Sequence, residues 1–186
     1  MKLKICGIKT VEDAITARSL GADMIGVIGI KGTLRAVNAE ELKKIRLCIG
    51  EGLVFVTDSV DAAEAIMEKV DLVQVHAVMK EEDMCKLHGK VIAYVPANDF
   101  GTNYIKMVRK HRFIPLIHAV NGKLQIEDLA RFGDITDSGI AGGIGVDNVS
   151  QFMSSGAMFL DVSRGVEDGN GKKSPWKIRY LVGMVK

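Results

Sequence analysis

Cys6 is the residue in this chain best placed for proton chemistry. It closes a short run, Leu3-Lys4-Ile5-Cys6, and Gly7 follows it. A free thiol titrates at about 8.5, so a nearby cation that favours the thiolate turns it into a usable base or nucleophile. Lys4, two residues back on the same face of an extended strand, is one source of that charge. A cysteine in such a run also serves simply as a small buried hydrophobe, and the residues alone leave both readings open. Cys48 and Cys85 fall within helical patterns and read as structural.

Two glycine-bearing segments invite an anion. Gly142-Gly143 ends an apolar run and precedes Ile144-Gly145-Val146-Asp147-Asn148-Val149, which reads as the start of a helix; Ser163-Arg164-Gly165 ends the next run in a similar way. Glycines let backbone N–H groups approach a phosphate, and a helix N-terminus adds positive potential. Tight turns need the same glycines, so neither segment decides the matter by itself. Arg35, in a loop, is suited to clamping a carboxylate or to lying solvated. His118 ends the run Phe113-Ile114-Pro115-Leu116-Ile117-His118, where an imidazole can serve as acid, base or structural partner. Asp161 lies on the last apolar run, with its direction left open.

These residues need a frame that brings strand ends together. Apolar, β-branched runs begin near Leu3, Asp23, Leu53, Asp71, Lys90, Phe113, Ile135 and Met158, about 22 residues apart on average, with a helical stretch after each. Helix openings are predicted at Thr10, with Asp13 three residues on, at Ser59, and at Thr102. Strands and helices alternating at this pitch mean βαβ units and a parallel sheet, and eight units point to an α/β fold of the compact (β/α)8 TIM-barrel kind. An open doubly wound sheet is the alternative. Strand parity then assigns Lys2, Lys4 and Cys6 to the lumen opposite Leu3 and Ile5. It likewise turns Gln74 and His76 inward while Val73 and Val75 pack on helices. Barrel enzymes keep their chemistry at the C-terminal strand ends, and often a phosphate between the loops after strands seven and eight.

The chain has 186 residues, 47% hydrophobic and 26% charged, with a formal net charge of +2. That composition suits one globular domain over residues 1–186 and offers no electrostatic footprint for nucleic acid. No apolar run approaches the roughly 20 residues of a membrane span. The opening Met1-Lys2-Leu3-Lys4 breaks into charge at once, so no secretory segment is expected there. Three cysteines without metal-site spacing argue against a disulfide framework or a zinc site, and fit a reducing cytoplasm.

Lys4-Ile5-Cys6-Gly7-Ile8-Lys9-Thr10 followed by Glu12-Asp13-Ala14 resembles the opening of phosphoribosylanthranilate isomerases. So do Val73-Gln74-Val75-His76, Ala141-Gly142-Gly143-Ile144 and Leu160-Asp161-Val162-Ser163-Arg164-Gly165-Val166-Glu167, in the same order across the chain. The resemblance implies a barrel of the ribulose-phosphate-binding type that performs an Amadori rearrangement in tryptophan biosynthesis. It implies Cys6 as general base, Arg35 on the anthranilate side, and Gly142, Gly143, Ser163 and Gly165 around the phosphate. Gln74, His76 and Asp161 complete the expected substrate contacts. No metal and no organic cofactor are implied, because the chemistry is proton transfer. The expected partner is a small phosphosugar, with neither nucleic acid nor membrane, bound by a monomer or homodimer.

One departure stands out. The family ends its sixth strand with an aspartate that acts as general acid, and the strand count puts His118 there. Asp137, in Asp134-Ile135-Thr136-Asp137-Ser138, looks like that aspartate but falls below the active face by the same count. Arg164 stands where the family usually has serine. A different phosphosugar isomerase or epimerase, or a barrel that lost its acid and only binds, are the competing readings.

Overall fold

In the computed structural model, which describes residues 1–186, eight parallel strands close into a barrel in chain order. They are β1 (Lys2–Cys6), β2 (Met24–Ile28), β3 (Leu53–Thr57), β4 (Leu72–Val75), β5 (Val91–Pro96), β6 (Ile114–His118), β7 (Gly139–Ala141) and β8 (Phe159–Val162). β8 pairs back onto β1 with Lys4 level with Asp161, so the sheet has no edge and the open doubly wound alternative is excluded.

The surrounding helices are α1 (Val11–Ser19), α2 (Ala39–Ile49), α3 (Val60–Ile66), α4 (Glu81–Met84), α5 (Asp99–Lys110), α6 (Ile126–Ala130) and α7 (Pro175–Val185). Their brevity is what lets so short a chain complete the barrel: α4 and α6 are single turns. After Gly142-Gly143 the expected helix shrinks to one 3-10 turn, Val149–Phe152. No helix is long and apolar enough to cross a membrane.

Local capping explains where most helices begin. The Thr10 hydroxyl accepts the Asp13 amide at 3.1 Å and the Ser59 hydroxyl that of Ala62 at 3.2 Å, as predicted. The helix expected from Thr102 instead opens at Asp99, because the Asn98 side chain accepts the Gly101 amide at 3.0 Å and caps one turn earlier. The seventh strand, expected from Ile135, begins at Gly139. The Asp134 carboxylate accepts from the Thr136 amide at 2.9 Å and its hydroxyl at 2.8 Å, a turn that keeps this segment out of the sheet.

The parity reading holds in three dimensions. Leu3, Ile5, Val73 and Val75 join the apolar layer between sheet and helices, whereas Cys6, Val54, Val56, Ile92, Leu116 and Phe159 pack the lumen. α7 seals the outer layer over β1 with Ile178, Leu181 and Val185 buried on one face, each contributing about 2 kcal/mol. The lumen is therefore packed with apolar side chains, and Cys6, Gln74 and Asp161 line a cavity at the C-terminal strand ends.

Candidate active site

A cavity of about 240 Å³ opens at that end, lined by Cys6, Gln74, His76, His118, Asp161 and Arg35 together with the glycine segments after β7 and β8. All the site candidates except the alternative acid Asp137 line it, Asp161 included: its side chain turns into the lumen.

Under the floor lies a charged pair. Lys4 is fully buried, and its Nζ donates to Asp161 Oδ2 at 2.9 Å. Burial disfavours the ammonium, but Asp161 and then Cys6 outweigh that and hold its pKa above the ordinary lysine value. Asp161 Oδ1, equally buried, has no partner. Burial pushes the Cys6 thiol above its ordinary value, and the Lys4 charge offsets only part of that rise. Gly26, level with Cys6 on β2, makes this grouping possible: a Cβ there would stand 3.0 Å from Cys6 Sγ and 3.1 Å from Lys4 Cε.

Across the cavity the rings of His76 and His118 meet edge to face at 4.9 Å, with Tyr94 4.9 Å from His76. Burial, reinforced by His118, pushes the His76 pKa down to about 4, so that imidazole is neutral at pH 7. His118 Nδ1 lies 2.7 Å from the Ala119 carbonyl oxygen, which can only accept. The proton therefore sits on Nδ1, and Nε2 is the nitrogen left for exchange. Gln74 Oε1 and His76 Nδ1 are buried without partners, which leaves both for a ligand.

Arg35 does clamp a carboxylate, that of Glu167: Nε donates to Oε1 at 2.9 Å and Nη2 to Oε2 at 3.2 Å. Lys173 Nζ also donates to Glu167 Oε1 at 3.1 Å and to the Ser163 carbonyl at 3.2 Å. Burial alone would raise the Glu167 pKa, yet Arg35 and Lys173 together hold it below the ordinary value. Gly142 and Gly143 take φ of +116° and +65°, which bends the chain sharply off β7. Gly145 and Gly165 then bridge directly, joining the loops after β7 and β8 at the cavity rim.

The model of the family described as N-(5'-phosphoribosyl)anthranilate (PRA) isomerase matches residues 3–184. The chain belongs to this family. The PRA isomerase of Sulfolobus acidocaldarius is 34% identical over 100% of this chain and 96% of its own length. That of Saccharolobus solfataricus is 27% identical over 100% and 96%. Among solved structures, the Thermotoga maritima PRA isomerase superposes with a TM-score of 0.85 at 22% identity, covering 100% of this chain and 98% of that one. A PRA isomerase bound to reduced 1-(o-carboxyphenylamino)-1-deoxyribulose 5-phosphate superposes with 0.81 at 24%, over 100% and 98%. The chain is accordingly an isomerase on a closed (β/α)8 barrel.

The end of β6, where the resemblance implies an aspartate, carries His118. Asp137 sits at the opposite end of the barrel, before β7, exposed and gripped by Arg109 Nε and Nη2 at 2.8 Å each. Cys48 and Cys85 are both exposed, which corrects their reading as structural residues, and neither lines the cavity. No three His, Cys, Asp or Glu side chains gather to hold a metal ion. The sequence reading missed Glu167 and Lys173 as partners. Asn170-Gly171 is the signal that could have found them: it forms a tight return, Gly171 having φ of +75°, that lays Lys173 back against Glu167.

Proposed function

We propose that this chain converts N-(5-phosphoribosyl)anthranilate to 1-(2-carboxyphenylamino)-1-deoxyribulose 5-phosphate, the Amadori rearrangement of tryptophan biosynthesis. The observation that carries this reading is the convergence of a thiol, Cys6, and an imidazole, His118, on one cavity from well-separated strands. Family membership supplies the reaction class, and the placement of the two groups supports the following division of the work.

His118, protonated, donates from Nε2 to the furanose ring oxygen as the C1–O bond breaks, which leaves an iminium between C1 and the anthranilate nitrogen. The Cys6 thiolate removes the C2 proton; the C–H pair becomes a C1=C2 bond and the iminium π pair returns to nitrogen. The resulting enol loses its hydroxyl proton as C1 gains one, and the ketone is formed with no net proton uptake. His76, neutral at pH 7, is unsuited to be the acid and offers a hydrogen bond instead. Gln74 and Asp161 face the sugar hydroxyls, Arg35 the anthranilate carboxylate, and Gly142, Gly143, Ser163 and Gly165 the phosphate. Each step is a proton transfer, so the reaction as written calls on no cofactor.

The test is turnover of freshly made substrate by the wild type, Cys6→Ala and His118→Ala. Both variants should lose about 10²- to 10⁴-fold in rate. A His118→Ala variant with full activity would remove the acid role from that residue. A wild type that binds a product analogue tightly without turnover would make the chain a binding protein and end the isomerase reading.

A further inference from the structure

The chain buries a lysine at the centre of its barrel that the proposed reaction does not use. Lys4 is 0% exposed, and its one carboxylate partner, Asp161, leaves an oxygen unsatisfied. A buried ion pair is a poor source of stability, because the cost of desolvating two charges offsets most of their attraction, and apolar residues of similar volume serve a core as well. Packing alone does not account for it. Its position suggests a different purpose. Lys4 and Cys6 share the lumenal face of β1, and the bare Cα of Gly26 lets the lysine stem and the sulfur lie side by side within contact of the same point. Asp161, level with Lys4 on β8, tethers the ammonium there.

We infer that Lys4 is the positioning residue of Cys6: held by Asp161 beneath the cavity floor, its ammonium is the counter-charge that lets the sulfur exist as a thiolate. This rests on Cys6 being the base of the proposed reaction: burial raises the thiol's pKa, and the Lys4 charge offsets part of that penalty. Other charged groups face the same sulfur. Lys173, on the segment after β8, supports the thiolate from above, and the Arg35 guanidinium lies within electrostatic reach from the loop after β2. Asp161 opposes the thiolate, and His76, from the end of β4, faces the Lys4–Asp161 pair rather than the sulfur. β2 brings only Gly26. Lys4 is the largest of the influences that favour the charged sulfur, and Asp161 the largest charge against it.

That opposition gives a test with two signs. In a Cys48→Ser/Cys85→Ser background, where both exposed thiols are gone, Cys6 is alkylated with iodoacetamide across pH 6–10 and the product followed by mass. Asp161→Asn frees Lys4 for the sulfur and should speed alkylation at neutral pH. Lys4→Met combined with Asp161→Asn leaves no buried charge unpaired and should slow it by at least about tenfold, the effect of one unit in thiol titration. Profiles that coincide in these two folded variants would overturn the role of Lys4. If the double variant does not fold, Asp161→Asn against its parent tests the same role, and an unchanged profile again overturns it. The readout needs no substrate, so it stays distinct from the turnover assay that tests Cys6 as the base.

Discussion

Arg35 and Glu167 lie 132 residues apart and meet in a two-point ion pair, Nε to Oε1 at 2.9 Å and Nη2 to Oε2 at 3.2 Å. The pair ties the loop after β2 to the segment after β8, across the mouth of β1 where Cys6 ends. Glu167 occupies one edge of the guanidinium and leaves Nη1 free, so it aims the group as well as neutralising it. Arg35→Ala should raise KM by about 10- to 100-fold, the value of a charge-assisted hydrogen bond, with a smaller change in kcat. Glu167→Gln should raise KM by about 10-fold, because the guanidinium is no longer aimed. The two changes should combine to little more than Arg35→Ala alone. Additive effects in steady-state kinetics would show that Glu167 does not work through Arg35.

Asp137 is expected to be dispensable. Its carboxylate is half exposed and committed to Arg109 at the far end of the barrel from the cavity. Asp137→Asn should keep full turnover and lose no more than about 1 kcal/mol of stability, as exposed ion pairs do. A collapse in kcat with an intact fold would return the acid role to this residue and take it from His118.

His76 should make the fold acid-sensitive. Unfolded, it takes a proton below about pH 6.5; folded, burial and His118 delay that to about 4. Between these values the unfolded chain binds more protons, so stability is complete above about pH 6.5 and falls as the pH drops towards 4. The loss amounts to about 3 kcal/mol. Thermal melts of His76→Gln, which has no such proton to take up, should decline less over the same interval. Parallel declines would mean that His76 is not held neutral.

Gly165 marks where the rim loops touch. A Cβ there would stand 2.0 Å from the Ile144 carbonyl oxygen and 2.7 Å from Gly145 Cα, both backbone atoms with little freedom to yield. Gly165→Ala should therefore cost about 1–3 kcal/mol and spread the two loops apart. Calorimetric affinity for a phosphate-bearing product analogue should fall by at least about tenfold with them. Unchanged affinity would show that the phosphate is not held between these loops.

Much of this molecule is legible in short stretches of sequence. Side chains alternate along a strand, so Lys4 and Cys6 had to share a face, as did Gln74 and His76. Caps such as Thr10 and Ser59 act within one turn, and strand starts follow local apolar runs, β7 excepted because the Asp134 turn intervenes. What no stretch contains is the level at which two distant strands meet. Barrel closure and stagger alone decide that Asp161 lies beside Lys4, that Glu167 reaches Arg35, and that His118 comes to the ring of His76. The residue types and their faces were thus determined locally, by alternation and capping. Their partners were decided only when β8 closed onto β1, because register between strands is a property of the whole sheet.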